Sequence, residues 1–386
     1  MMRRSLLLAH GGGPTAVLNA SLYGSIMEAK TSGKFSRILA SKRGITGILG
    51  GNIADISDVS STLLEKLPYT PGSAIGTGRD AITEKGYDDI AAQLAHKGIT
   101  DVLLTGGNGT MDTTKKLSDA CKPYGILVCG VPKTMDNDLS GTDHSPGYGS
   151  AARYLAGSIR EVAQDVKGLA IHVVVIETFG RDAGWITASS ALARENPDDG
   201  PDMILPPEYP FEQDKFLTRV QNLFDKKHGV IVVASEGLRY ADGKPIVEPV
   251  FQQGRSVYFG DVSSHLSLLI TKQLGIKSRS EKPGIFGRAS VAWASEVDRK
   301  EAILCGRKSV EALCDGKNAW MSVIRRTSTE PYTSEIGIVP INPSVLKAKT
   351  MDDTLLDQTA YDVKPAFLSW LRPLVGGELG SYVSFL

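Results

Sequence analysis

The sequence predicts an α/β protein of two lobes, each built on a mostly parallel sheet. Three observations carry that expectation. Short apolar runs rich in β-branched residues alternate with segments of helical periodicity, which is the pattern of βαβ units. The runs are continuous rather than alternating, as in strands covered on both faces. The chain has 386 residues, and at ~150 residues per domain this gives a prior of two or three domains.

The candidate strands, in order, are Ser5–Ala9, Arg37–Ala40, Asp101–Thr105, Ile126–Val131, Ile171–Glu177 and Gly229–Ser235. Between them lie helices such as Tyr148–Val166, whose Leu155, Ile159, Val162 and Val166 mark one apolar face. Proline and aspartate accumulate over Asn196–Pro210, which reads as an irregular surface connection, and Leu346–Asp362 reads as a polar linker before a short apolar tail. The expected division is 1–140, 141–345 and a C-terminal extension 346–386 that packs back on the lobes, with the chain crossing near Asp138–Gly147.

Composition narrows the function. Lys+Arg and Asp+Glu are 43 each, so the basic excess of a nucleic-acid binder is missing. The four cysteines form no CxxC pair and are too few for a disulfide framework, which points to a reducing, cytoplasmic location. The run Leu6–Ala9 is too short for a signal peptide and reads as a buried strand. No stretch approaches the ~18 apolar residues of a membrane span. Glycine stands out at 41 residues, above the usual ~7%.

Those glycines cluster at strand ends. Gly11-Gly12-Gly13-Pro14-Thr15 follows the first strand, Gly106-Gly107-Asn108-Gly109-Thr110 follows another, and Gly72–Gly78 ends in Arg79. Turns of this kind expose backbone N–H groups to an anion and suggest a phosphate-rich ligand at the carboxyl ends of parallel strands. A ligand-free βα turn explains the first of them equally well, and a surface ion pair would explain Arg79. Neither GxGxxG in its strand-helix context nor GxxxxGK[ST] occurs, so a nicotinamide oxidoreductase and a P-loop enzyme are poor alternatives. Val131-Pro132-Lys133-Thr134-Met135-Asp136-Asn137-Asp138 is the most informative stretch. An exposed turn would explain its acids. Two aspartates two residues apart beside a lysine also suit phosphoryl transfer: one accepts the proton of an attacking hydroxyl, the other holds Mg²⁺, and the cation offsets phosphate charge.

The blocks Gly12–Asn19, Gly72–Arg79, Gly106–Thr110, Pro132–Asp138 (PKTMDND), Glu177–Gly184 (ETFGRDAG) and Ser235–Gly237 resemble, in order and spacing, the phosphofructokinase family, including its pyrophosphate-dependent branch. The resemblance implies two Rossmann-like lobes, the first holding ATP or pyrophosphate, with the sugar phosphate between lobes. It implies transfer of a phosphoryl group to the 1-hydroxyl of fructose 6-phosphate, Mg²⁺ as cofactor, and a homodimer or homotetramer. Carried onto this chain, Asp136 is the base, and Thr134 and Asp138 orient the hydroxyl. Gly12, Gly13, Gly107, Asn108, Gly109, Thr110 and Arg79 face the donor, with Lys133 and Arg79 as catalytic cations. Phe179, Gly180, Arg181, Glu236, Arg279 and Arg288 hold the sugar phosphate, and Asn108, Asp136 and Asp138 serve the metal.

Donor choice is argued from two positions. Pyrophosphate-using relatives commonly have Asp where this chain has Gly109, and that carboxylate would repel the α-phosphate of ATP. Lys133 resembles the pyrophosphate branch. An open glycine turn favours ATP, with pyrophosphate as the alternative. Three departures bear on the ligands. Asn108 replaces a metal-associated Asp, the segment Pro283–Arg299 replaces LGxxQRGGxP, and His172 replaces an arginine. His172 reads as a strand or interface histidine, His10 as a strand-end residue bonded locally, and another phosphorylated sugar or a polyol stays open as substrate. The rival from another class is a non-catalytic sugar-phosphate sensor, which has no need for Thr134, Asp136, Asp138 and Arg181 together.

Overall fold

A computed structural model describes residues 4–79, 81–253 and 256–385. The first three residues of the expected 1–140 lobe lie outside it. The chain divides into two compact units.

The first unit comprises Met1–Ser150 and Arg288–Ala348. Its eight-stranded sheet runs in the order Tyr332–Pro340, Trp320–Thr329, Leu127–Pro132, Asp101–Gly106, Arg4–Gly11, Phe35–Ile45 and Ile53–Asp55, with the two-residue strand Thr77–Gly78 paired beside Arg4–Gly11. The central pairings are parallel and the outermost ones antiparallel. Leu6, Leu103 and Cys129 join one apolar cluster, and Leu7, Val102 and Val128 join another. Alternate residues of each strand therefore face opposite layers, which is why the runs are continuously apolar. On one face the helices Leu18–Thr31 and Glu296–Cys314 pack together. A Cβ on Gly24 would overlap Ile303 O, and one on Gly306 would overlap Ser21 O, so only glycine allows this backbone approach.

Two buried acids of Glu296–Cys314 fasten the segment between Asp138 and Ser150. Asp298 accepts from Gly147 N at 2.8 Å, Ser150 N at 2.9 Å and Ser150 Oγ at 2.5 Å. His144, 1% exposed, lies between two carboxylates: Nε2 is 2.6 Å from Glu301 Oε2 and Nδ1 is 2.8 Å from Asp143 Oδ2. Tyr332 Oη and Ser334 Oγ also donate to Glu301, each at 2.6 Å, so the network links the loop to the strand Tyr332–Pro340.

The second unit comprises Ala151–Gly287 and Lys349–Leu386. Its four-stranded sheet, Ser278–Glu281, Val173–Thr178, Val230–Ser235 and Met203–Leu205, is parallel throughout. Val173, Val175, Val230, Val232 and Met203 pack against Phe216 of the helix Gln213–Lys227 and against Leu266 and Ile270 of Val262–Leu274. The C-terminal segment is fastened here. Arg194 Nη1 donates to Asp362 at 2.7 and 2.9 Å, Glu208 accepts from Met351 N at 3.0 Å, and the rings of Trp185 and Trp370 lie 5.3 Å apart.

All six expected strands occur. The domain division changes, because residues 288–345 belong with the first unit: Trp320–Thr329 pairs with Leu127–Pro132, and Glu296–Cys314 packs on Leu18–Thr31. Asn196–Pro210 also holds a buried strand, Met203–Leu205, paired at the edge of the sheet where flanking prolines cost no ladder bond. Among the described residues no helix is long and apolar enough to cross a membrane.

Burial opposes the charge of His144, but the hydrogen bonds it donates to Asp143 and Glu301 and the charges of those acids outweigh it and push its pKa from 6.5 up to about 9. A group raised on folding contributes stability that is fully present below pH 6.5 and is lost as pH rises through about 9. Stability from urea unfolding should therefore decline more steeply over that window in the native chain than in His144→Asn. Parallel profiles would contradict the assignment of charge to His144.

Candidate active site

The first glycine turn is surrounded by cations of its own unit. Lys133 lies at the end of Leu127–Pro132, whose neighbour in the sheet is Asp101–Gly106. It is 4% exposed, and Nζ donates to Gly11 O at 3.0 Å and Gly13 O at 2.6 Å. Gly12 has φ +77°, and a Cβ there would sit 3.4 Å from Lys133 Nζ. A Cβ on Gly13 would sit 2.5 Å from Arg288 Nη1 and 3.0 Å from Arg79 Nη2. Two guanidinium groups and one ammonium thus converge on a turn that carries no side chain. Burial lowers the Lys133 pKa, Asp136 works against that, and Arg79 and Arg288 add to the lowering, which reaches about 8. Arg288 is lowered by burial and then by Arg79, with Asp136 opposing. Like charges held together in this way favour a polyanionic ligand.

The second glycine turn adjoins the acids. Gly107 caps the helix Asn108–Cys121, and Lys133 N donates to Gly106 O at 3.0 Å. Asn108 Nδ2 donates to Asp138 Oδ2 at 2.9 Å and to Asp138 O at 3.1 Å. Its Oδ1 is buried with no hydrogen-bond partner among the described residues. Thr134 Oγ1 accepts from Asp136 N at 3.1 Å, and Asn137 Oδ1 accepts from Ser145 N at 3.0 Å. Asn137, between the two acids, has φ +53°, so the acids are carried on a sharp turn locked to the segment that His144 and Asp298 hold. A Cβ on Gly109 would meet nothing within 4 Å.

Among the described residues no cluster of three or more His, Cys, Asp or Glu side chains could hold a metal ion. Asn108 and Asp138 lie in hydrogen-bond contact and offer hard oxygens of the kind Mg²⁺ takes, one or two carboxylates together with substrate phosphates.

In the second unit, Phe179, Gly180 and Arg181 follow the buried strand Val173–Thr178. The turn Ser235-Glu236-Gly237 seats directly on them: Ser235 Oγ donates to Gly180 O at 2.7 Å and Glu236 N to Thr178 O at 2.9 Å. Arg181 Nη2 donates to Val257 O at 2.8 Å, and its guanidinium stands 5.0 Å from the centre of the Phe259 ring. Burial raises the Glu236 pKa, Arg181 lowers it, and Glu177 raises it. Glu177 is 3% exposed and accepts from Lys282 Nζ at 2.8 Å and Ser263 N at 3.1 Å. Sequence reasoning missed Lys282, because the stretch Ser280-Glu281-Lys282-Pro283 carries no spacing that marks a cation.

Arg288 and Arg279, the two remaining residues expected to hold the sugar phosphate, lie in different units. Arg288 lies in the first unit with Arg79, Lys133 and Asp136. Arg279 is paired with Val174, five positions before Phe179, which is about 16 Å along a strand. His172 has its pKa lowered by burial, then by Arg279 and Lys277, and His10 bonds locally to Ser73.

Comparison with known proteins identifies the family. Residues 5–313 match the family model described as Phosphofructokinase. A protein of Xanthomonas campestris pv. campestris named pyrophosphate--fructose 6-phosphate 1-phosphotransferase is 35% identical over 98% of this chain and 93% of its own length. A protein of the same name from Rhodospirillum rubrum is 32% identical over 97% and 95%. The crystal structure of a pyrophosphate-dependent phosphofructokinase from Nitrosospira multiformis superposes with a TM-score of 0.88 at 32% identity, covering 100% of this chain and 95% of that one. With most of its length matched by the family model and a relative 35% identical over 98% of the chain, the chain belongs to the phosphofructokinase family.

Proposed function

We propose that this chain transfers the terminal phosphoryl group of ATP to the 1-hydroxyl of fructose 6-phosphate, giving fructose 1,6-bisphosphate. The observation that carries the reading is the convergence of Arg79, Lys133 and Arg288 on Gly11–Gly13, within electrostatic reach of Asp136. In this reading Asp136 accepts the proton of the attacking hydroxyl as the new O–P bond forms and the bond to the leaving phosphate breaks. Thr134 and Asp138 orient the hydroxyl. Arg79, Lys133 and Arg288, with the amides of Gly12, Gly13 and Gly107–Thr110, stabilise charge on the transferring group and the donor. Arg181 and Glu236 of the second unit serve the sugar. Mg²⁺ held by Asp136, Asp138 and the Asn108 amide oxygen would neutralise donor-phosphate charge. The four free cysteines accord with a cytoplasmic setting, and a homodimer or homotetramer remains the expected assembly.

ATP is favoured by the open space at Gly109. Pyrophosphate is the second reading, favoured by the names of the relatives and by Lys133 beneath the glycine turn. A coupled assay crossing both donors with fructose 6-phosphate separates them: turnover with pyrophosphate alone would overturn the ATP reading. In the same assay Gly109→Asp should weaken ATP use about tenfold or more by placing a carboxylate beside the α-phosphate, and should weaken pyrophosphate use far less. Equal losses would refute the role given to Gly109. Asp136→Ala should lower kcat about 10²–10⁴-fold while fructose 6-phosphate binding, measured by calorimetry, is largely kept. Unchanged turnover would sink the assignment of the base.

A further inference from the structure

Two buried polar side chains near the first glycine turn have no part in the chemistry above, and both reach the segment that delivers Arg79. Asn19, 1% exposed on the helix Leu18–Thr31, uses both ends of its amide: Nδ2 donates to Thr70 O at 2.8 Å and Oδ1 accepts from Ala74 N at 2.9 Å. His10, 2% exposed, places Nδ1 2.8 Å from Ser73 Oγ. Burial, reinforced by Lys133, lowers the His10 pKa to about 3, so the ring acts as a neutral hydrogen-bonding group. Beyond these contacts, Thr77 Oγ1 donates to Gly12 O at 2.7 Å and Gly12 N donates to Gly78 O at 2.9 Å. The segment itself is irregular, with Gly72 and Gly76 both at φ +74°. Its course from Thr70 to Gly78 is fixed by partners on the first strand, the turn after it and the first helix.

We propose that Asn19 and His10 are positioning residues for Arg79, bracing the 70–78 segment so that the guanidinium meets the transferring phosphoryl group at the glycine turn. This rests on the donor-side role given to Arg79 above. The brace is specific in chemistry. Thr70 O needs a donor and Ala74 N an acceptor, and an amide supplies both, whereas a carboxylate of the same shape turns the first contact into repulsion. Small displacements of a catalytic group cost rate rather than binding.

The test is a double-mutant cycle with the full chain, Mg²⁺, fructose 6-phosphate and whichever donor supports turnover. Asn19→Asp should lower kcat about 10- to 100-fold and Ser73→Ala about 3- to 10-fold, each with the KM for fructose 6-phosphate within about twofold. In an Arg79→Met background neither substitution should lower kcat further. Losses that multiply in that background, or wild-type kcat in both single variants, would overturn the proposal. If Asn19→Asp does not fold, Ser73→Ala, which buries no new charge, carries the cycle alone. Wild-type turnover in Arg79→Met would instead overturn the role of Arg79 and the brace with it.

Discussion

The site depends on holding three cations against a turn that has no side chains. Lys133, Arg79 and Arg288 repel one another, and the Lys133 pKa falls to about 8 under burial and that repulsion. The fold bears this cost by satisfying the ammonium with two carbonyls, Gly11 O and Gly13 O, and by keeping Asp136 and Asp138 within electrostatic reach. A polyphosphate entering such a place gains from every cation at once. The neutral overall charge of 43 against 43 is compatible with this because the positive field is local.

Buried polar groups brace the segment that follows the two aspartates beside that charge cluster. Asp298 takes three hydrogen bonds from Gly147 and Ser150, and His144 bridges Asp143 and Glu301. These bonds fix the loop that begins with the Asp136-Asn137-Asp138 turn. Bonds of this kind are expensive to leave half made. In the second unit the pairing of Glu177 with Lys282 and the seating of Ser235-Glu236-Gly237 on Gly180 and Arg181 do the same for the residues assigned to the sugar.

Much of the scaffold was legible in the sequence. Strands covered on both faces, such as Asp101–Gly106 and Val230–Ser235, announce themselves as continuous apolar runs. The glycine turns and PKTMDND carried the first unit's site because their chemistry is compressed into a few adjacent residues. What escaped depends on pairings distant in the chain. The return to the first unit at Arg288 is set by Trp320 meeting Cys129, and no local pattern encodes that. The place of Arg279 follows from register with Val174, and Met203–Leu205 sits among prolines that read as a loop. Lys282 and the two contacts of Asn19 are likewise tertiary, since neither residue type nor spacing distinguishes them from solvated or core polar side chains.

The central claim is that the glycine-turn cations hold the donor phosphates. Calorimetric titration of a non-transferable donor analogue, imidodiphosphate or its adenosine counterpart, into the native chain and into Lys133→Ala tests it most directly. The account predicts at least about a tenfold loss of donor affinity, the scale of one charge-assisted contact, with fructose 6-phosphate affinity unchanged. Equal donor affinity in the two proteins would contradict it.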